Sequence, residues 1–153
     1  MRIAIGSDHA AYKLKLAIEE LLDEMGYAYE DLGAHTDEHP ADDYPLIGAE
    51  VAAAVVEARA NLGILMCGTG IGMSIAANKV PGARAALCHD LFTAQKSREH
   101  NDANVLVLGS RVVDEELAKE IVRAWLGTAY AHGRHDGRNA CLKVIEERYG
   151  HRG

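Results

Sequence analysis

Two rhythms alternate along this chain. Short, mostly apolar runs at residues 2–6, 62–66, 83–88 and 104–108 have the length of strands buried in a parallel sheet. Between them apolar residues recur every three or four positions. Leu14, Ala17, Ile18, Leu21, Leu22 and Met25 share one face of a helix predicted over residues 12–25 and stopped by Gly26. Ile47, Val51, Val55 and Ala58 mark the buried face of a second helix opened by Pro45. Leu117, Ile121, Ala124 and Trp125 mark a helix capped by Asp114, and Leu142, Ile145 and Tyr149 the inward face of a last helix over residues 138–149. Shorter helices are predicted over residues 73–79 and 90–100. Residues 27–32 form a more polar strand suited to a sheet edge, and residues 33–44 and 127–137 read as loops.

Strand and helix alternate throughout, with no internal repeat or linker. The pattern predicts one α/β domain over residues 1–153, a doubly wound, Rossmann-like sheet of five parallel strands with helices on both faces. Ligands of such sheets sit past the carboxyl ends of the strands. Ser7-Asp8-His9, Cys67 with the glycines after it, Cys88-His89-Asp90 and Gly109-Ser110-Arg111 should therefore line one edge.

Composition narrows the classes. The chain has 153 residues, 48% of them apolar, enough for one domain with a real core. Its net charge of −7 argues against non-specific nucleic-acid binding. No apolar run approaches the ~18 residues of a membrane span, and the N-terminus enters a strand without a leader-like apolar region. Cys67, Cys88 and Cys141 are odd in number and in no framework spacing, which suits a reducing cytoplasm.

The densest chemistry lies in residues 62–78, LGILMCGTGIGMSIAAN. A strand, a glycine-rich turn and a helix aim several backbone N–H groups at one point, a site for negative charge. Cys67 stands at its mouth, where a thiolate is stabilised and serves as base or nucleophile. The turn reads G-x-G-x-G and not G-x-G-x-x-G, yet Asp90 lies about twenty residues on, where a ribose-binding acid is expected. A non-catalytic nucleotide-binding domain is thus an alternative, and a purely structural turn another. Cys88 also ends a strand but lacks the glycine turn, and Cys141 reads as core.

Among the histidines, His132 and His135 have no carboxylate or cysteine companions at metal-ligand spacing, and His35 and His39 share a loop with Pro40. A zinc site is a weak reading. His9 falls at the active edge. His100 lies in Arg98-Glu99-His100-Asn101-Asp102, a polar run at a helix end. Arg134 and Arg138, with Arg111 elsewhere, read either as an anion grip or as a solubilising loop. Beside the glycine turn, the anion reading points to a small phosphorylated ligand that gains further negative charge during reaction.

The sequence resembles the type B ribose-5-phosphate isomerases, a family that includes galactose-6-phosphate and allose-6-phosphate isomerases. The matching residues are Gly6-Ser7-Asp8-His9, Asp43-Tyr44-Pro45, Cys67-Gly68-Thr69-Gly70-Ile71-Gly72, Ile75-Ala76-Ala77-Asn78-Lys79, Ser97-Arg98-Glu99-His100-Asn101-Asp102, Gly109-Ser110-Arg111-Val112-Val113 and Gly133-Arg134-His135. They run in order over nearly the whole chain. The resemblance implies an aldose–ketose isomerase working through a cis-enediolate without metal or cofactor. It implies Cys67 as base, Gly68, Thr69, Gly70, Ile71 and Gly72 as the anion hole, and His100 as the ring-opening residue assisted by Asp8 and Thr69. It implies Asn101 as a sugar-hydroxyl contact and His9, Arg111, Arg134 and Arg138 as phosphate or substrate binders. It further implies a homodimer or homotetramer with sites shared between subunits, the C-terminal helix making subunit contacts. One branch uses a glutamate early in the helix after the glycine turn; Met73 stands there in this chain, which looks like the cysteine branch. A hexose 6-phosphate substrate is the alternative within the family.

Overall fold

A computed structural model describes residues 1–38 and 43–150 of the chain. Five strands, β1 (Arg2–Ser7), β2 (Ala28–Asp31), β3 (Leu62–Cys67), β4 (Ala85–Leu87) and β5 (Val105–Gly109), form an all-parallel sheet in the order β2-β1-β3-β5-β4. The helices are α1 (Tyr12–Met25), α2 (Tyr44–Val56), α3 (Ile71–Asn78), α4 (Leu91–Asn101), α5 (Glu115–Leu126) and α6 (Arg134–Tyr149).

Side chains alternate across the pleat and feed two cores. Ile64 and Met66 of β3 join Ile18, Leu22 and Trp125 in the core under α1, α4 and α5. Leu65 and Cys67 join Val51, Met73 and Ala77 under α2 and α3. The doubly wound parallel sheet thus has the architecture that the strand–helix alternation predicts. From β1 the chain winds outward to β2, and from β3 it winds to the other side. The switch point therefore lies between β1 and β3, where such sheets place ligands.

The differences from the sequence expectations lie mainly at element ends and in the last helix. The second helix ends at Val56, so Ala58 is exposed beyond it at φ 60° and is not part of the buried face. Gly70, in the left-handed region, caps α3 two residues earlier than the apolar pattern indicates. The loop predicted over residues 127–137 ends at Gly133, and Arg134 already belongs to α6. Leu142, Ile145 and Tyr149 of that helix are about half exposed, and Cys141 is exposed and not core. The reason is geometric. Within the chain α6 packs chiefly on α4, which leaves much of its apolar stripe open to solvent. His39 and Pro40 lie outside the described residues. Among the described residues no helix is long and apolar enough to cross a membrane.

Candidate active site

Three strand ends converge at the switch point on a cleft of about 270 Å³. Asp8 and His9 enter it from β1, Cys67, Gly68 and Thr69 from β3, Gly72 from α3 and Arg111 from beyond β5, while Tyr44 flanks it from the start of α2. Backbone bonds lock these ends together. Asp8 N donates to Met66 O at 3.1 Å, Ser110 N to Cys67 O at 2.9 Å, and Arg111 N to Gly68 O at 2.9 Å. The Asp8 carboxylate is oriented by the Ala11 N–H at 3.0 Å.

The Cys67 thiol is nearly buried, with 6% of the residue exposed. Gly70 N donates to its Sγ at 3.2 Å, and Ile71 N donates to Thr69 Oγ1 at 3.2 Å. A donor aimed at sulfur solvates negative charge there, and the first turn of α3 contributes N–H groups that have no acceptor within the helix. The same turn can also receive an oxyanion.

A second cluster sits at the junction of α4 and α6. The rings of His100 and His135 stack with centroids 4.1 Å apart. Arg134 and Arg138 project from the first turns of α6. Burial first, and then the neighbouring His100, Arg134 and Arg138, lower the His135 pKa below its usual range. Arg98 braces this end of α4, donating to Thr128 O at 3.3 Å and to Asp102 Oδ1 at 3.2 Å. Asn101 lines a different hollow, beside Arg84 and Leu142.

The two clusters lie at opposite ends of the sheet. α4 runs back against the strand direction, and its end leads into the start of β5, where Asn104 N donates to Arg84 O just before β4. Cys67 is at the carboxyl end, one strand length away, roughly 17–20 Å. One chain therefore assembles Asp8, His9, Cys67, Gly68, Thr69, Gly70, Ile71, Gly72 and Arg111, and leaves His100, Asn101, Arg134 and Arg138 apart from them.

Other candidates are accounted for locally. Burial pushes the Cys88 thiol up despite hydrogen bonds with Ser97 and Thr93. The Asp90 carboxylate caps α4, accepting from Thr93 N at 2.7 Å and Thr93 Oγ1 at 2.9 Å. Among the described residues no cluster of three or more His, Cys, Asp or Glu side chains is arranged to hold a metal ion. Sequence reasoning assigned no role to Tyr44; its place next to Pro45, at the N-terminus of a helix facing the glycine turn, was the available signal.

The ribose/galactose isomerase family matches residues 3–142. The chain is 49% identical to ribose-5-phosphate isomerase B of Escherichia coli over 147 residues, 96% of this chain and 97% of that protein. Its structure matches Clostridium thermocellum ribose-5-phosphate isomerase B with a TM-score of 0.94 and 50% identity, covering 97% of this chain and 99% of the other. It also matches Mycoplasma genitalium ribose-5-phosphate isomerase B with bound ribulose-5-phosphate, at a TM-score of 0.90 and 39% identity, covering 95% and 96% of the two chains.

Proposed function

The chain belongs to the ribose/galactose isomerase family, and we propose that Cys67 is the base with which it interconverts ribose 5-phosphate and ribulose 5-phosphate. The observation that carries this assignment is the Cys67 Sγ in the cleft at the head of α3, with the Gly70 N–H on it. Isomerisation removes a weakly acidic proton alpha to a carbonyl and returns it to the neighbouring carbon. It needs a base and donors for the oxygen that becomes negative. Starting from the aldose, the Cys67 thiolate takes the C2 proton, the charge moves onto the carbonyl oxygen O1, and the resulting cis-enediolate is held by N–H groups of the 68–72 turn. The O2 hydroxyl proton passes to O1, and the Cys67 thiol returns its proton to C1, which gives the ketose with its carbonyl at C2 and regenerates the thiolate. No redox partner, metal or cofactor enters this sequence of steps.

Ribose 5-phosphate is cyclic in its main form, so the ring must open first. His100 takes the proton of the anomeric hydroxyl while the ring C–O bond breaks and the ring oxygen is protonated, with Asp8 and Thr69 assisting. Asn101 contacts a sugar hydroxyl. His9, Arg111, Arg134 and Arg138 bind phosphate or substrate. Because Cys67 and His100 belong to opposite ends of one sheet, each site is built from two copies of the chain, in a homodimer or a homotetramer. The exposed apolar stripe of Leu142, Ile145 and Tyr149 supports α6 as a subunit contact. The protein works in the cytoplasm, where its three free thiols stay reduced.

The test is a coupled assay for ribulose 5-phosphate formed from ribose 5-phosphate, with EDTA present, on wild type and Cys67→Ala. Turnover by the wild type alone is expected. Full turnover by Cys67→Ala removes Cys67 as base. A folded wild type active only on allose or galactose 6-phosphate moves the substrate to six carbons.

A further inference from the structure

We propose that Asn139 is a positioning residue that sets the spacing between the ring-opening His100 and the phosphate-binding Arg134 and Arg138; this rests on the roles assigned to those three residues above. Asn139 follows Arg138 on α6 and lies outside every motif of the sequence. Its Nδ2 donates to the backbone carbonyl of His100 at 2.9 Å and to the Tyr130 hydroxyl at 2.9 Å. A carbonyl only accepts, so this contact fixes which way round the amide sits. Tyr130 in turn donates to Asp136 Oδ1 at 2.7 Å. One amide thus joins the last turn of α4, the segment leading to α6 and the first turns of α6.

The joint it holds is thin. α6 packs chiefly on α4, where the His100 and His135 rings stack, and far down the helix Gly82 N donates to Glu146 Oε1 at 2.8 Å. Asn139 Oδ1 is buried and finds no hydrogen-bond partner among the described residues, an unfavourable arrangement accepted while Nδ2 makes both bonds. The consequence is functional. A sugar phosphate is gripped at one end by arginines on α6 and acted on at its ring by a histidine on α4. The distance between grip and chemistry is a property of this joint, and an error near 1 Å in such a distance costs on the order of 100-fold in rate.

Asn139→Leu keeps the size of the side chain and removes the donor. Asn139→Asp keeps its shape, also loses the donor, and is run in parallel in case the first variant folds poorly. Tyr130→Phe leaves the bond to His100 in place. The measurements on the full-length protein are kcat and KM for ribose 5-phosphate, competitive inhibition by inorganic phosphate, and thermal melting. For both Asn139 variants kcat is expected to fall roughly 10- to 100-fold, with the inhibition constant for phosphate unchanged because the arginines themselves are intact. Tyr130→Phe is expected to keep wild-type kcat. Wild-type kcat in a folded Asn139 variant overturns the proposal. So does a parallel loss of kcat, phosphate inhibition and melting temperature, which marks a purely structural role. A folded wild type without sugar-phosphate isomerase activity overturns the proposed function itself, and this inference with it.

Discussion

The backbone N–H of Gly70 donates to Cys67 Sγ across 3.2 Å, and the same glycine, at φ 78°, opens α3. The proposed base and the proposed oxyanion donors are thereby tied to one backbone turn. A methyl group at Gly70 is strained by the positive φ and would lie 3.1 Å from Leu108 C and 3.2 Å from Gly109 N. Gly70→Ala keeps the N–H but displaces the turn that carries it, and is expected to lower kcat on the order of 100-fold, as misplacing a catalytic group by about 1 Å does. The coupled assay measures this, and a melt of the same sample separates it from unfolding.

Gly109 supports the turn from below. A Cβ there would stand 2.5 Å from Thr69 O and 2.6 Å from Thr69 C, both backbone atoms. No rotamer relieves that clash, so the turn itself must move. Gly109→Ala is expected to destabilise by about 1–3 kcal/mol, as overpacking does, and to cut turnover further than stability alone explains. Urea unfolding and the isomerase assay together check it.

A site shared between subunits makes a sharper prediction. Cys67→Ala and His100→Ala homo-oligomers are each expected to lose turnover. In a mixed dimer one composite site carries both substitutions and the other carries neither. Co-refolding the two inactive variants in equal amounts should restore about a quarter of wild-type activity if pairing is random. No recovery in verified mixed dimers would place both residues in one chain's site.

Lys15 is fully buried, and its Nζ donates to Asp31 Oδ1 at 2.6 Å and to Ala34 O. Burial raises the Asp31 carboxyl, but Lys15, the Gly33 N–H and His35 together bring it below its usual range. A depressed folded pKa stabilises above the unfolded pKa, and that contribution is lost as pH falls through the folded value. Glu19 behaves oppositely: burial, then Asp31, raise it, so its contribution is lost as pH rises through its folded value. Lys15→Met is expected to cost about 3 kcal/mol near neutrality, as breaking a buried pair does. It should also weaken the acid dependence of stability, read by urea titrations at several pH values.

Local pattern carried much of this protein. The run of β3 into Cys67 and the glycine turn was legible because strand, turn and helix are set by neighbours within a few residues. The stripe of α1 was legible for the same reason except at Met25, which is exposed on the last turn, and the bounds at Tyr12 and Met25 agree with the structure. The meeting of Asp8, Cys67 and Arg111 followed from parallel topology, which sends every strand's carboxyl end to one edge.

The set of elements, the parallel α/β sheet and the edge where the candidate site gathers were therefore readable from residue order, because these depend on spacing along the chain. Tertiary structure decided which faces find partners and which residues end up far apart. The stripe of Leu142, Ile145 and Tyr149 announces a face to be covered, but periodicity is blind to which chain covers it. His100 lies a strand's length from Cys67 because α4 runs against the sheet. Lys15 meets Asp31, and Asn139 meets the carbonyl of His100, only after distant segments dock, and a hydrogen bond between distant segments leaves no local period to read.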